Sequence, residues 1–571
     1  MAMSGGCSYK FNPESSETTI SGQWTCPHES YEDAAYCVFH VTRCDPEVQP
    51  STMEIRTAFL EGLQSDDPRR SQFIGISVET LDLSEADLHV VGGDSIDLRH
   101  ASLNVLNLTS ARVNDVLRCD DANIENLLAD VSEFLDRVRL CGCQIELARF
   151  DLATFERYAN FNGTEFKELY CNTAFFNRVR FNESQFSDTA SFHNTTFRDW
   201  TDFGDTQFHG TAIFSRARFN DDVTFTRSAF TGEKCNFKGC RFRRKATFEH
   251  VQFTISPDFA EIDCTGSHHF QFHAPAADII VSFRDANLTQ GPIELVIGEK
   301  HEDTDEWKYD PSGEIAVDFT DASLGEVDLH SQIIHEEIKE LEESTSYLVN
   351  TLNTVVDLDT IRFRRTTFDG FDFSKYHTNL LESNWNIHHF NTPDVDGPPS
   401  LQFTKEPTPT DLEETYLKAK NGARASGDNR AASEFFLREM RQRRAQHYAT
   451  VRSDKSPLTR LKGILSTAAN DLLYVTAGYG ERPSYVIGIS FGIILFATFL
   501  FQGFLASYRA PPSIWIESFL FSFQSFITFT IGSPPSGSES PFIRMLSAFE
   551  GFLGAFLIAL FVFTLTRSVH R

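Results

Sequence analysis

Between Gln72 and about Thr265, large apolar residues recur every five or six positions. Leu83, Leu88, Leu98, Leu103, Leu108 and Val113 open this lattice. Phenylalanine then takes it over, at Phe150, Phe155, Phe161 and Phe166 and from Phe176 through Phe203 and Phe230 to Phe259. Two places before most of these residues stands a small one, for example Ala148, Ala153, Ala190, Ala217, Cys240 or Ala246. A helix repeats about every 3.6 residues and a strand about every 2, so neither alone gives this spacing. A short period held for so long marks an internal repeat, which the fold must accommodate before any other feature of the chain. Phe supplies 54 of the 571 residues against 14 Tyr and 5 Trp, so the lattice dominates the composition.

With one large centre and a small residue two places before it, stretches such as TAIFSRARFNDDVTFTRSAF (residues 211–230) resemble the pentapeptide-repeat family in its phenylalanine-rich form. The resemblance implies a right-handed quadrilateral β-helix, one five-residue unit to each side. It is strong over residues 72–265. Weaker echoes at Ala286-Asn287-Leu288, Ala322-Ser323-Leu324 and Phe368 to Phe373 carry it to about 390, with Glu299 to Ser312 as a loop insertion. In this register Cys143, Cys235 and Cys240 take small-residue slots and Cys171 and Cys264 large ones, so these thiols are expected to be buried and inert. His193, His209, His250, His268 and His269 show no metal-ligand spacing and read as surface residues. No nucleophile elbow, phosphate-cradling glycine loop or HExxH occurs, and no enzymatic activity is expected.

The C-terminal part is a different body. Tyr485 to Ala506 has no charged residue and is long enough to cross a hydrocarbon layer of about 30 Å. Phe542 to Thr566 is similar but carries Arg544 and Glu550, both near one end, where side chains reach the interface. Between the two runs lies PPSIWIESFLFSFQSFITFTIGSPPSGSES, too short and too interrupted to span. Such a segment is tolerated at membrane depth only if protein buries it or it lines a water-filled path. A two-helix anchor with a buried loop is the plainer alternative, but an anchor has no need of such a loop.

This order is similar to the two-transmembrane potassium-channel pore family. Thr530, Ile531, Gly532 and Ser533 stand where that family has its filter, after a pore helix with Glu517 near its start and Thr528 at its end. Phe549 to Arg567 resembles the inner helix, with Gly551 or Gly554 at the gating bend. The resemblance implies a homotetramer whose filter carbonyls replace the water shell of a monovalent cation, K+ or Na+. The family's Tyr-Gly is Ser533-Pro534 here, and proline cannot take the positive φ of that glycine. Strict potassium selectivity is therefore not expected.

The remaining segments fit around these two bodies. Residues 1–50 hold Cys7, Cys26, Cys37 and Cys44 with His28 and His40. Cys7, Cys26, Cys37 and His40 make a Cys3His set for structural Zn2+, with Cys44 and His28 as rival ligands and unligated thiols as the alternative. Residues 392–410 form a Pro-rich linker. A basic helical pair is expected over 411–450, an interfacial amphipathic helix over 457–477, and the pore domain over 484–567. From Leu417 to Lys462 twelve Lys and Arg face four Asp and Glu, inside a chain of net charge −29. The basic stretch suits an anionic inner leaflet or a dock on the acidic solenoid. The overall acidity excludes nucleic acid as a routine partner and suits a halophilic source.

Basic residues before the first span and after the second place both ends, with the solenoid, on the cytoplasmic side of a multi-pass membrane protein. The expected function is a cation channel modulated through the solenoid, which would bind a ligand or partner. A membrane-anchored interaction scaffold without conduction is the alternative.

Overall fold

The computed structural model describes the chain except residues 1–5, 13–22, 274–277, 302–313, 342–343, 357, 390–394, 396, 399–405, 454–456, 506–512, 529–540 and 570–571. It divides into two compact units, Met1–Lys405 and Glu406–Arg571.

The first unit is a β-solenoid of about 10 turns. Up to Thr265 a coil closes every 20 to 25 residues, as in the parallel pairings of Phe166 with Phe186, Phe230 with Phe253 and Ser77 with Ser102. Large residues therefore stack in four internal columns, which makes the solenoid four-sided. One column runs Phe155, Phe176, Phe197, Phe219, Phe242, with centroids 4.5 to 5.6 Å apart. The longest runs Phe192, Phe214, Phe237, Phe259, Phe283, Phe319, Phe363, at 4.8 to 5.5 Å. Aromatic pairs of this kind each add about 0.5–1.5 kcal/mol beyond the area they bury.

The alternation of five- and six-residue steps has a geometric cause. Each five-residue step that crosses a tight corner is a turn such as Phe150–Ala153, closed by Ala153 N–H donating to the Phe150 carbonyl at 3.1 Å. Its third residue, Leu152, has φ +62°, as a type II turn requires. The same positive φ recurs two places after every second rung, at Thr173, Glu183, Asn194, Asp205, Arg216 and Arg227. The six-residue steps, such as Phe197 to Phe203 and Phe208 to Phe214, fall at the other corners. A four-residue turn admits no extra residue, whereas the looser corners do.

The small slot before each rung is also chemical. Several of its occupants donate to the carbonyl one coil below: Thr206 to Phe181 at 2.8 Å, Ser184 to Phe161 at 2.7 Å and Cys240 to Phe214 at 2.8 Å. Each of these carbonyls also accepts the N–H that closes its corner turn, so the slot's side chain supplies a second donor and ties successive coils together. Cys143, Cys171, Cys235, Cys240 and Cys264 are all buried, and burial pushes each thiol above its usual range.

After Thr265 the columns continue while the coils lengthen, since Ser323 pairs back to Asn287 and Thr367 back to Ser323. The extra length includes an antiparallel hairpin of Val327–Leu341 with Ser344–Val355. The echoes seen in the sequence are the rungs that remain. His268 departs from the expected surface position: it is 2% exposed and accepts from the Ala246 N–H at 3.3 Å.

The second unit is helical. A capping box at Thr408 and Asp411 starts α4 (Pro409–Ala425), which packs against α5 (Asn429–Ser453). The first unit also holds three short helices, α1 (Val41–Cys44), α2 (Thr52–Leu63) and α3 (His377–Glu382). Then come α6 (Pro457–Ala477), α7 (Pro483–Leu505), α8 (Ser513–Thr528) and α9 (Pro541–Val569). Among the described residues, two helices are long and apolar enough to cross a membrane, Pro483–Gln502 within α7 and Pro541–Thr566 within α9.

Candidate functional site

In the helical unit, α8 packs against both α7 and α9. Its 16 residues span about 24 Å at 1.5 Å each, too short for a tilted crossing. Its aromatic residues join the bundle core, where Phe526 meets Val486, Ile494 and Leu557, and Phe521 meets Phe501.

A polar seam runs through this apolar bundle. Ser518, Ser522 and Ser525 stand at helical spacing on α8, and all are buried. Ser522 donates its hydroxyl to Glu550 Oε1 on α9 at 2.5 Å and lies 3.0 Å from the Ile494 carbonyl of α7. Ser525 and Ser547 share a hydroxyl contact at 2.8 Å. Glu550 is 3% exposed, and its Oε2 has no hydrogen-bond partner among the described residues. The sequence reading that placed Glu550 at the interface is thereby corrected, because its face of α9 is the one against which α8 packs. One turn on, Gly554 lets the backbones meet: a Cβ there would lie 2.1 Å from the Phe526 carbonyl oxygen.

Of the expected pore residues, Thr530, Ile531, Gly532 and Ser533 lie outside the described residues. Glu517 is exposed on the first half of α8. Thr528 closes that helix, exposed, its hydroxyl donating to the Gln524 carbonyl at 2.7 Å. Gly551 and Gly554 are both buried within an unbroken α9. The Ser518/Ser522/Ser525 stripe was visible in the sequence as a helical spacing, but its partner Glu550 was not.

The basic segment is partly neutralised from within. Lys420 is bound to Glu439 at 2.6 Å with both side chains nearly buried, and Arg443 bridges Glu413 at 2.7 Å and Glu439 at 3.0 Å. Arg444 reaches Asp471 at 3.5 Å and lies over Tyr474. Arg424 and Arg430 remain exposed. On α6, Ile464, Leu465, Leu472, Leu473 and Val475 are exposed as an apolar face.

In the first unit the N-terminal cysteines form a second candidate site. β1 (Lys10–Phe11) pairs antiparallel with β2 (Trp24–Thr25), which brings Cys7 beside Cys26. The turn into α1 brings up Cys37 and His40. The four ligand atoms lie within 4.8 Å of one another, and all four residues are buried. Cys26 Sγ and Cys37 Sγ are 3.7 Å apart, and His40 Nδ1 is 3.1 Å from Cys37 Sγ and 3.9 Å from Cys7 Sγ. A tetrahedral zinc with Zn–S near 2.3 Å has S···S edges of about 3.8 Å. The Cys37 N–H points at Cys7 Sγ at 3.2 Å. Hydrogen bonds from Cys26 and Cys37 hold the Cys7 thiol well below its usual range, so the cluster favours a thiolate. This buried Cys3His cluster can hold a structural metal ion. The two rival ligands are set aside: Cys44 is exposed, and His28 is buried with Nε2 3.3 Å from the Gln72 carbonyl.

A cleft of about 500 Å³ opens on the distal coils. Its wall includes Lys245, His269, Glu294, Glu326, Asp328 and Lys375. Glu294 is bridged by His269 at 2.7 Å and His330 at 3.1 Å, while Lys375 holds Asp328 at 2.9 Å.

No family model matches this chain, and neither a curated protein nor a solved structure is similar to it.

Proposed function

We propose that this chain is one subunit of an oligomeric, cation-conducting membrane channel whose opening is modulated through its β-solenoid. The carrying observation is α8, a helix too short to span that is packed between two apolar helices and presents a buried serine stripe to them. A lipid anchor gains nothing from polar groups inside its bundle. A re-entrant helix that supports a backbone filter needs such anchoring, because it stands at membrane depth without spanning.

Four copies would surround the pore, with Thr530 to Ser533 as its filter and K+ or Na+ as the permeant ion. The C-terminal end of α8 carries a partial negative charge that favours cations. The exposed apolar face of α6 and exposed Arg424 and Arg430 suit a helix layer on an anionic membrane surface. The wall of the distal solenoid cleft mixes carboxylates, imidazoles and lysines, which suits a small charged modulator. At the N-terminus, three cysteine sulfurs and one imidazole nitrogen within 4.8 Å of one another suit zinc, which takes thiolate and imidazole ligands.

Vesicles containing the purified protein test the reading. Cation flux that disappears in Gly532→Pro supports it. Equal flux in empty and loaded vesicles, from protein that is folded and oligomeric, favours the non-conducting scaffold.

A further inference from the structure

An end coil of a solenoid exposes both an unpaired strand edge and the open end of its core, and natural solenoids cover it. The first coil here begins at Gln72, and its core residue Phe73 is fully buried. The residues that cover it come from the Cys3His segment and α2. His28 stacks on Phe73 at 5.0 Å, Phe39 meets it edge-on at 5.1 Å, and Phe59 of α2 stacks on it at 4.0 Å.

The backbone edge is also occupied. The Ser77 N–H donates to the Phe39 carbonyl at 3.0 Å. His40 Nε2 lies 3.3 Å from the Ile74 carbonyl, His28 Nε2 lies 3.3 Å from the Gln72 carbonyl, and Trp24 Nε1 donates to the Gln72 side chain at 2.8 Å. Tyr9 stacks on His40 at 3.8 Å and fills the space above Gly75, where a Cβ would meet the Tyr9 hydroxyl at 2.6 Å. Every one of these groups is a metal-ligating residue or lies within two positions of one.

We infer that the Cys7/Cys26/Cys37/His40 centre, loaded with zinc, is the end cap of the solenoid, so that metal binding holds its first coils closed. The inference rests on the zinc reading given above. His40 is the link. Nδ1 faces the thiols and Nε2 faces a first-coil carbonyl, an outer-shell contact that fixes the tautomer needed for ligation. Regular structure in the segment is slight, since β1 and β2 are two residues each, so ligation energy would add directly to the folding of this cap. α2 is the metal-independent half, with its own capping box at Ser51 and Glu54 and with Arg56 donating to the carbonyls of Asp82 and Ser84.

The test uses full-length protein in detergent micelles, with zinc content and amide hydrogen exchange measured before and after a zinc chelator, and again after Zn2+ is restored. The expected result is one zinc per chain. On chelation, exchange at the Ser77 amide and through residues 72–107 rises at least about tenfold, residues 190–260 are unchanged, and zinc reverses the effect. Cys37→Ser reproduces the chelated state, and Cys44→Ser does not. Zinc that binds and leaves without altering exchange over 72–107 overturns the cap while sparing the zinc site. Protein that takes up no zinc at all overturns the zinc reading and the cap with it.

Discussion

Ser522 of α8 donates a hydrogen bond to Glu550 of α9 at 2.5 Å, inside a bundle that is otherwise almost wholly apolar. Desolvating a carboxyl group between two apolar helices is costly, and intramembrane ionisable residues therefore tend to mark function. Here the pair joins the short helix to α9 one turn before Gly554, where a Cβ would lie 2.1 Å from the Phe526 carbonyl oxygen. The proposed channel depends on this joint, which the contact of Ser525 with Ser547 reinforces.

A double-mutant cycle between Ser522→Ala and Glu550→Ala in the detergent-solubilised protein should give a coupling of about 1 kcal/mol, within the range found for interhelical bonds in membrane proteins. Thermal unfolding of the helical unit reads it. Additive single effects would mean that the 2.5 Å contact holds nothing together.

Gly554→Ala should loosen the same joint. The added methyl would sit 2.1 Å from the Phe526 carbonyl oxygen, so the two helices must part. A loss of about 1–3 kcal/mol is expected, as for other over-packed sites. Unfolding and cross-linked oligomer yield measure it, and an unchanged melting point with full assembly would contradict the packing.

In the solenoid, Phe203→Ala should cost about 3–5 kcal/mol, because its ring stacks between Phe181 at 5.1 Å and Phe225 at 5.0 Å and the column cannot close over a gap. Leu152→Asn should do the reverse. Leu152 is exposed and sits at φ +62°, a conformation that asparagine tolerates far better, so a gain of about 0.5–1 kcal/mol is expected. Denaturant midpoints of the first unit check both. A stabilising Phe203→Ala or a destabilising Leu152→Asn would refute the four-column, type II corner geometry.

His268 sets a pH dependence. Burial lowers its pKa to about 4, whereas the unfolded chain titrates near the ordinary value of 6.5. Between those values the unfolded state binds the extra proton and the native state does not. This contribution is therefore full above about pH 6.5 and is lost at about 1.4 kcal/mol per unit as pH falls towards 4. His268→Gln should flatten that slope when stability is followed from pH 7 to 4.5, and an unchanged slope would assign the effect elsewhere.

The spacing of large residues made most of the first unit legible, because a side chain that stacks on its own repeat leaves a period in the sequence. The five-or-six alternation was visible, but its cause was not, since positive φ at Leu152 or Arg227 leaves no glycine as a marker. The hairpin Val327–Leu341/Ser344–Val355 was missed because it interrupts the lattice without replacing a rung. For the metal cluster, ligand types were legible, and the choice of Cys7, Cys26, Cys37 and His40 over Cys44 and His28 agrees with the geometry. Glu550 was misread because hydropathy records how many polar residues a span carries but not which face they occupy. His268 was misread because the period of large residues does not tell which neighbouring polar residues the coils enclose, and it is 2% exposed.

The most direct measurement is current through the purified full-length protein in a planar bilayer, with potassium on one side and sodium on the other. The account predicts unitary cation conductance with a defined reversal potential, weakly selective between the two ions because Ser533-Pro534 stands where potassium-channel pores, which this segment resembles, have Tyr-Gly. Silence from an intact oligomer, in both low and molar salt, would contradict it.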